Sequence, residues 1–100
     1  MEQYKVAISP TAQNDFLDIT EHMSNSDPEE AARYYELFME KVELLKTMPE
    51  VCPLAKDAQL RLRAYRMLSV ENYIIFFVVN VNTVEIRRIL YAKRQYERLV

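Results

Sequence analysis

Two groups of basic and aromatic residues in the second half of the chain carry side chains that could do chemistry together. The first group lies on or before one predicted strand and comprises Arg61, Arg63 and Arg66. The second lies on and after another predicted strand and comprises Arg87, Arg88, Tyr91, Lys93, Arg94 and Tyr96. Arginine and lysine stabilise the negative charge that develops in phosphoryl transfer, and tyrosine moves a proton or stacks on a base. The pattern allows a metal-free RNA-cleaving surface or, more simply, a strand face with exposed arginines and aromatics packed at its edge.

Two of these arginines fall on mainly apolar strand phases. Because an ionised side chain in apolar surroundings is costly unless it is paired, each needs an internal carboxylate or a ligand. The residues that share these phases are Leu62, Ala64 and Leu68 for Arg66, and Val84, Ile86 and Leu90 for Arg88.

Other kinds of catalytic or binding site find no support in the sequence. The single histidine, His22, and the single cysteine, Cys52, are far apart, so no clustered metal-ligand motif is present. Without glycine, the chain has no phosphate-binding loop and no dinucleotide fingerprint. A serine nucleophile would need His22 as its base, and no motif supports that pair. We therefore predict no metal site and no cofactor.

Length and composition predict a single globular domain over residues 1–100. Half of the residues are hydrophobic and 28% are charged, as in folded proteins. The longest apolar run is too short to cross a membrane as a helix, and the first residues lack the pattern of a signal peptide. One cysteine allows no internal disulfide, which fits a reducing, cytoplasmic location.

Charge is distributed unevenly along the chain. Residues 1–58 have a net charge of −7, with 5 Lys/Arg and 12 Asp/Glu, whereas residues 59–100 have +5, with 8 and 3. Seven of the eight basic residues after position 58 are arginines, which bind carboxylate and phosphate through two parallel hydrogen bonds. The basic part predicts either a patch for an acidic partner or a solvated strand face.

The first half of the chain predicts one strand and two helices. Alternating apolar residues predict a strand over residues 3–8. Ser9-Pro10 and Asp27-Pro28 are helix-start signals, and apolar residues spaced three and four apart follow each of them. Breaks at residues 24–26 and at Met48-Pro49 make the two helices an antiparallel hairpin.

The second half predicts a loop and three strands. The strands are expected at residues 60–70, 73–79 and 83–91, after a loop at 50–59 and before a short helix at 93–100. Turns fall at Glu71-Asn72 and at Asn80–Asn82, where asparagine accepts left-handed backbone angles in place of glycine. The predicted fold is α+β, ordered β-α-α-β-β-β with a final short helix, and its antiparallel sheet packs on the helical hairpin.

The stretch NYIIFFVVN, from Asn72 to Asn80, is apolar on both strand phases. A strand that is covered on both faces has this pattern. The helical hairpin can cover one face, and the other face is expected to meet the terminal helix or a partner chain.

The order and spacing of four motifs along the chain resemble those of the RelE/ParE superfamily, the toxins of type II toxin–antitoxin pairs. The resemblance spans nearly the whole chain. It rests on four motifs: Tyr4-Lys5-Val6 with Ile8-Ser9-Pro10-x-Ala12-x-x-Asp15-Phe16-x-x-Ile19; Ala31, Leu45 and Met48-Pro49; Arg66-x-Leu68-x-Val70-x-x-Tyr73-x-x-Phe76-Phe77; and Val84-x-Ile86-x-Arg88-Ile89-Leu90-Tyr91-x-x-Arg94.

Within the superfamily, the sequence is more similar to ParE than to RelE. RelE-like members are ribosome-dependent mRNA endonucleases and commonly place an arginine directly after the hairpin tyrosine. Here Ile74 follows Tyr73, so an apolar side chain stands where a nuclease would place a charge. ParE-like members instead poison DNA gyrase.

The resemblance therefore implies a growth-inhibiting toxin that poisons DNA gyrase and is neutralised by a cognate antitoxin in a hetero-oligomer. Target or antitoxin would contact Arg61, Arg63, Arg66, Arg88, Lys93 and Arg94. A ribosome-dependent mRNA endonuclease is the alternative, with Arg66, Arg88, Tyr91, Arg94 and Tyr96 as candidate catalytic residues. A third alternative is an inactive relative retained as a binding module.

Overall fold

A four-stranded sheet with two long helices on one face forms the structure, a computed structural model that describes residues 3–93. The elements are β1 (Lys5–Ile8), α1 (Pro10–Ser26), α2 (Pro28–Thr47), α3 (Ala58–Leu62), β2 (Arg66–Val70), β3 (Tyr73–Asn80) and β4 (Thr83–Tyr91), with a short 3₁₀ turn at Pro49–Val51. The predicted α+β fold and the order of its long elements are confirmed. The helix expected at 93–100 falls almost wholly outside the described residues.

The sheet has the strand order β1-β4-β3-β2. Strands β2, β3 and β4 form an antiparallel meander, as predicted, whereas β1 pairs with β4 in parallel. The sheet is therefore mixed. Parallel strands need a long connection, and here the helical hairpin and strands β2 and β3 lie between β1 and β4 in sequence. Strand β2 is an outer strand of the sheet.

The helix starts are as predicted. The Ser9 hydroxyl oxygen accepts a hydrogen bond from the Ala12 amide at 3.1 Å, and the Asp27 carboxylate accepts one from the Glu29 amide at 3.1 Å. The Asp27 amide also donates to the Met23 carbonyl at 2.7 Å, so α1 continues to Ser26 instead of breaking at residue 24. One residue thus ends α1 and begins α2, which makes the hairpin tight.

Both faces of β3 are buried, and each face belongs to a different core. Ile75 and Phe77, both fully buried, pack with the helical hairpin, whereas Ile74 and Phe76 pack on the opposite face. The prediction that the hairpin covers one face is confirmed.

On the opposite face, residues 55–65 provide a cover that the sequence did not predict, and the terminal helix expected there lies outside the described residues. Ala55, Leu60 and Tyr65 are buried there against Ile74 and Phe76. The strand predicted over residues 60–70 begins only at Arg66, since residues 58–62 form α3. The Asp57 carboxylate accepts a hydrogen bond from the Leu60 amide at 3.1 Å and so starts that helix inside the predicted loop.

A bulge changes the phase of β4. Phe76 pairs with Arg88 and Phe77 pairs with Ile86, so Arg87 is an extra residue between two registers. Beyond the bulge, Leu90 lies in the second core, whereas Ile86 lies in the core under the hairpin. The prediction that Arg88 shares a phase with Leu90 is confirmed, since both lie beyond the bulge, whereas the prediction that it shares a phase with Val84 and Ile86 was wrong.

The chain takes left-handed backbone angles without glycine. The residues with positive φ are Ala64 at 61°, Glu71 at 58° and Val81 at 57°. We expected an asparagine in this conformation at the last turn, but Asn80 ends β3 and Val81 takes the strained position. A β-branched side chain is unfavourable there by about 1–2 kcal/mol.

Replacing Val81 with asparagine should stabilise the protein by about 1 kcal/mol, because asparagine adopts positive φ more readily. Val81 is 89% exposed, so the substitution removes little packing. We expect thermal denaturation to show a rise in Tm of about 5 °C. Val51→Asn is the matched control, since Val51 is also exposed and lacks a positive φ. An equal gain in the control would show that backbone strain at Val81 is not the cause.

Candidate functional site

Arg88 forms an internal ion pair with Asp15 of α1. Its Nε donates to Asp15 Oδ2 at 2.8 Å and its Nη2 donates to Oδ1 at 3.1 Å. The two side chains are only 19% and 13% exposed, and the hydrogen bond to Asp15 raises the pKa of Arg88. The expected partner of this arginine is thus a carboxylate of the same chain.

Ser9 and Asp15, in the cap and first turns of α1, also bind the backbone of β4 beyond the end of β1. Strand β1 pairs with β4 only as far as Ile86. Beyond it, the Ser9 hydroxyl donates to the Arg87 carbonyl at 3.0 Å, and the Asp15 carboxylate accepts from the Ile89 amide at 3.0 Å. Asp15 therefore joins helix to strand through the backbone as well as through Arg88.

Arg66 also binds acceptors within the chain. Its Nη1 donates to the carbonyl of Cys52 at 2.7 Å and, more weakly, to that of Glu50 at 3.4 Å. These bonds hold the segment after α2 against the start of β2. Both arginines that the sequence placed on apolar phases thus support the fold.

The candidate catalytic residues within the described range do not converge on one point. Arg66 stands opposite Phe77, whereas Tyr91 stands opposite Tyr73, which in turn pairs with Val70. The two positions differ by four residues along the sheet, or about 13 Å at the usual rise of a strand. Tyr91 is 42% exposed, and its ring packs against that of Tyr73 at 5.6 Å. Arg94 and Tyr96 lie outside the described residues.

A different basic cluster forms beside the turn after α3. The Arg63 guanidinium lies 5.0 Å from the centroid of the Tyr65 ring and donates to the Tyr65 hydroxyl at 3.4 Å. Arg87 lies close by and donates to the Glu85 carboxylate at 2.8 Å, which raises the pKa of Arg87 and lowers that of Glu85. These four residues line a depression of about 320 Å³.

The other predicted binding residues that the structure describes are on the surface. Arg61 is exposed on α3, where its Nε donates to the Ala55 carbonyl at 3.2 Å. Lys93 is exposed just after β4. Of the basic residues predicted to bind a target or antitoxin, the structure therefore leaves Arg61, Arg63 and Lys93 at the surface, and Arg66 and Arg88 bind internal acceptors.

Ile74, at the position where an endonuclease would carry an arginine, is 6% exposed. Its side chain belongs to the second core with Leu60, Tyr65 and Leu90. A charge there would be buried among apolar groups. The role of this position is therefore to pack the core beneath the sheet.

Residues 3–93 were compared with the requirements of a metal site and of a membrane-spanning helix. No three His, Cys, Asp or Glu side chains among them are grouped to hold a metal ion, and His22 is exposed on α1. Cys52 is buried, and this burial raises the pKa of its thiol. In the same range, no helix combines the length and the apolar character that a membrane span requires.

Sequence reasoning missed several residues that shape this surface. Asp15 entered only as part of a motif, although its side chain binds both Arg88 and the edge of β4. Tyr65 and Glu85 were not singled out, and their roles depend on the positive φ of Ala64 and on the bulge at Arg87. The signal for Asp15 was indirect: an arginine on an apolar strand needed a carboxylate.

Comparison with known proteins leads to one family. No curated protein matches the sequence. A chain of the solved structure described as the chromosomal ParDE TA system from P. aeruginosa has the same fold, with a TM-score of 0.75 at 19% identity over 90% of this chain and 97% of that one. The model of the family described as ParE toxin of type II toxin-antitoxin system, parDE, matches residues 6–96. Since that match covers nearly the whole sequence, the chain belongs to the ParE family of type II toxins.

Proposed function

We propose that this toxin inhibits growth in the cytoplasm by binding and poisoning DNA gyrase, and that a cognate antitoxin neutralises it. Membership of the ParE family supports the toxin role, and gyrase is the target that the ParE resemblance implies. The mechanism is binding to another protein, without a catalytic step by the toxin itself.

One observation carries this choice over RNA cleavage: Arg66 and Arg88 are both engaged by acceptors of the same chain. Metal-free cleavage of RNA needs cationic groups aimed at the phosphate and a proton-transfer group beside them. Here Tyr91 lies about 13 Å along the sheet from Arg66, by the rise of a strand. Ile74, which stands where RelE-like endonucleases commonly place an arginine, is buried.

The residues proposed for contact with the target are Arg61 and Arg63 beside α3 and Lys93 after β4, at the other end of the sheet. Arg63 is exposed and stacks on Tyr65, which fixes the plane of its guanidinium at the surface. Arg94 is added to this set from the sequence alone. Arg66 and Arg88 contribute through the fold, because they bind acceptors of the same chain.

The test is a supercoiling assay with purified gyrase and purified toxin. We expect the toxin to inhibit supercoiling and to increase the amount of DNA cleaved in complex with gyrase, and we expect the antitoxin to reverse both effects. Unchanged supercoiling with toxin in excess over gyrase would contradict the proposal.

Primer extension on cellular mRNA after induction separates the alternatives. We expect no new cleavage sites, and cuts within ribosome-bound messages would instead establish the RelE type of activity. Harmless expression in cells without an antitoxin would point to an inactive binding module.

A further inference from the structure

The depression beside α3 brings two guanidinium groups to one tyrosine. Arg63 donates to the Tyr65 hydroxyl at 3.4 Å, and Arg87 also hydrogen-bonds to the Tyr65 side chain. The depression measures about 320 Å³, and its other walls come from residues 78–80 of β3 and from Glu85. Two positive groups that line one depression can bind a single anion between them.

The backbone fixes the position of both arginines. Between Arg63 and Tyr65, Ala64 takes a φ of 61°, so the chain turns sharply and the two flanking side chains meet. Arg87 is the extra residue of the bulge in β4, and its carbonyl accepts a hydrogen bond from the Ser9 hydroxyl at 3.0 Å. Bulges commonly redirect a side chain beside a binding site. The fold therefore places both guanidinium groups before any ligand arrives.

Glu85 already supplies one carboxylate to this depression. Its Oε1 accepts from Nε of Arg87 at 3.2 Å and from Nη2 at 2.8 Å, and these hydrogen bonds lower the pKa of Glu85. The two side chains are 44% and 31% exposed, so water screens the pair and a stronger anion can replace it. Such an anion has to carry more negative charge than a carboxylate.

A phosphate group meets this requirement. A phosphate monoester carries nearly two negative charges and three strong acceptor oxygens, enough to contact two guanidinium groups at once. A second carboxylate would bring only the charge that Glu85 already supplies, and Glu85 would repel it. The depression is wider than a phosphate group needs, and Val78 and Val79 give it apolar surface for whatever carries the phosphate.

We propose that the depression formed by Arg63, Tyr65 and Arg87 binds a doubly charged phosphate group, as in inorganic phosphate or at the end of a nucleotide. The phosphate oxygens accept hydrogen bonds from both guanidinium groups, and the Glu85 carboxylate moves out to solvent. This binding is a property of the toxin alone, so it does not depend on gyrase being the target.

The experiment is an NMR titration of the full-length toxin, labelled with nitrogen-15, with inorganic phosphate. Sodium chloride holds the ionic strength constant, and the solution is kept at about pH 8, where the phosphate group is mostly doubly charged. The signals to follow are the Nε–H groups of Arg63 and Arg87 and the backbone amides of Ala64 and Tyr65, since all four residues line the depression.

We expect these signals to shift with a common Kd of about 1–10 mM, as a few charge-assisted hydrogen bonds allow. Arg63→Gln and Arg87→Gln should each weaken binding by about tenfold or more. Glu85→Gln should strengthen it by about fivefold, because it removes the competing charge, and a loss of folding could not produce such a gain.

Lys56→Gln is the matched control. It removes one positive charge at an exposed position that does not line the depression, so it should change the Kd by less than about twofold. The Tm of each variant reports whether it folds.

Adenosine monophosphate and adenosine distinguish the two sources of the phosphate group. Tighter binding of adenosine monophosphate than of inorganic phosphate, with no shift from adenosine, supports the inference and assigns the site to the end of a nucleotide. Equal or weaker binding of adenosine monophosphate supports it with inorganic phosphate as the ligand.

Four results would overturn the inference. The first is the absence of shifts at the depression up to about 50 mM phosphate. The second is unchanged binding by folded Arg63→Gln and Arg87→Gln proteins. The third is an equal response to adenosine, which would mean that the phosphate is not recognised. The fourth is tighter binding of a glutamate-rich peptide, which would make the depression a contact site for an acidic protein. Gyrase inhibition is measured separately, and none of these results would remove it.

Discussion

Replacing Phe77 with aspartate should leave the chain unfolded at 25 °C. The Phe77 ring is fully buried in β3, a strand with a neighbour on each side and two covered faces, where it pairs with Ile86 under the hairpin. Loss of the ring alone costs about 3–5 kcal/mol, and the carboxyl group adds the cost of a buried polar group without a partner. Together these terms approach the whole stability of a domain of this size, about 5–15 kcal/mol.

Far-UV circular dichroism and urea denaturation measure this outcome. Leu62→Asp introduces the same charge on α3, where Leu62 is 88% exposed, and should change stability by less than about 0.5 kcal/mol. A soluble Phe77→Asp protein with a cooperative unfolding transition would show that β3 does not have the buried central place described here.

The parts of the fold that local chemistry determines could be predicted from the sequence. Ser9 and Asp27 cap the two long helices because a short acceptor followed by proline suits only a helix start. The run from Tyr73 to Val79 could be assigned to a strand covered on both faces because both of its phases are apolar. These signals need no knowledge of the rest of the chain.

The cover of the second face could not be predicted, because it depends on contacts between distant segments. α3 has five residues, too few for a periodic pattern, and it spans the end of the predicted loop and the start of the predicted strand. Leu60 and Tyr65 identify it only once Ile74 and Phe76 are known to need cover. The helix is thus selected by its packing more than by its own propensity.

The register of the strands could not be predicted from the sequence, for a similar reason. The bulge at Arg87 is set by the pairing of β3 with β4, and it moves Leu90 to the other core. The turn between these strands places Val81 at positive φ although asparagines flank it, because the hairpin register outweighs the local preference. Alternation along one strand carries no information about either shift.

For the site, the sequence could show that Arg88 needs a partner but could not identify it. Asp15 lies 73 residues away, and several other carboxylates on α1 and α2 were available by type. The topology decides, because α1 follows β1, and β1 lies beside β4. Asp15 is thereby placed at the part of the β4 edge that β1 leaves open.

Asp15→Ala should therefore destabilise the protein by about 3 kcal/mol, near the lower end of the range for breaking a largely buried ion pair. The substitution leaves Arg88, which is 19% exposed, without its carboxylate, and it removes the acceptor of the Ile89 amide. For a domain of about 100 residues this loss lowers Tm by about 12 °C or more. Asp18→Ala, on the exposed side of the same helix, should have an effect below about 0.5 kcal/mol.

A double-mutant cycle separates the ion pair from the other roles of each residue. Arg88→Met keeps much of the apolar stem of the side chain and removes the charge. In the Asp15→Ala/Arg88→Met protein no unpaired charge remains, so we expect it to be more stable than the sum of the two single losses predicts, by about 1–2 kcal/mol. What persists in the double variant is the unsatisfied Ile89 amide, and Asp15→Asn, which keeps an oxygen acceptor, should recover that part. Strictly additive losses in urea denaturation would show that Asp15 and Arg88 act independently, and Arg88 would then again be a candidate for direct contact with the target.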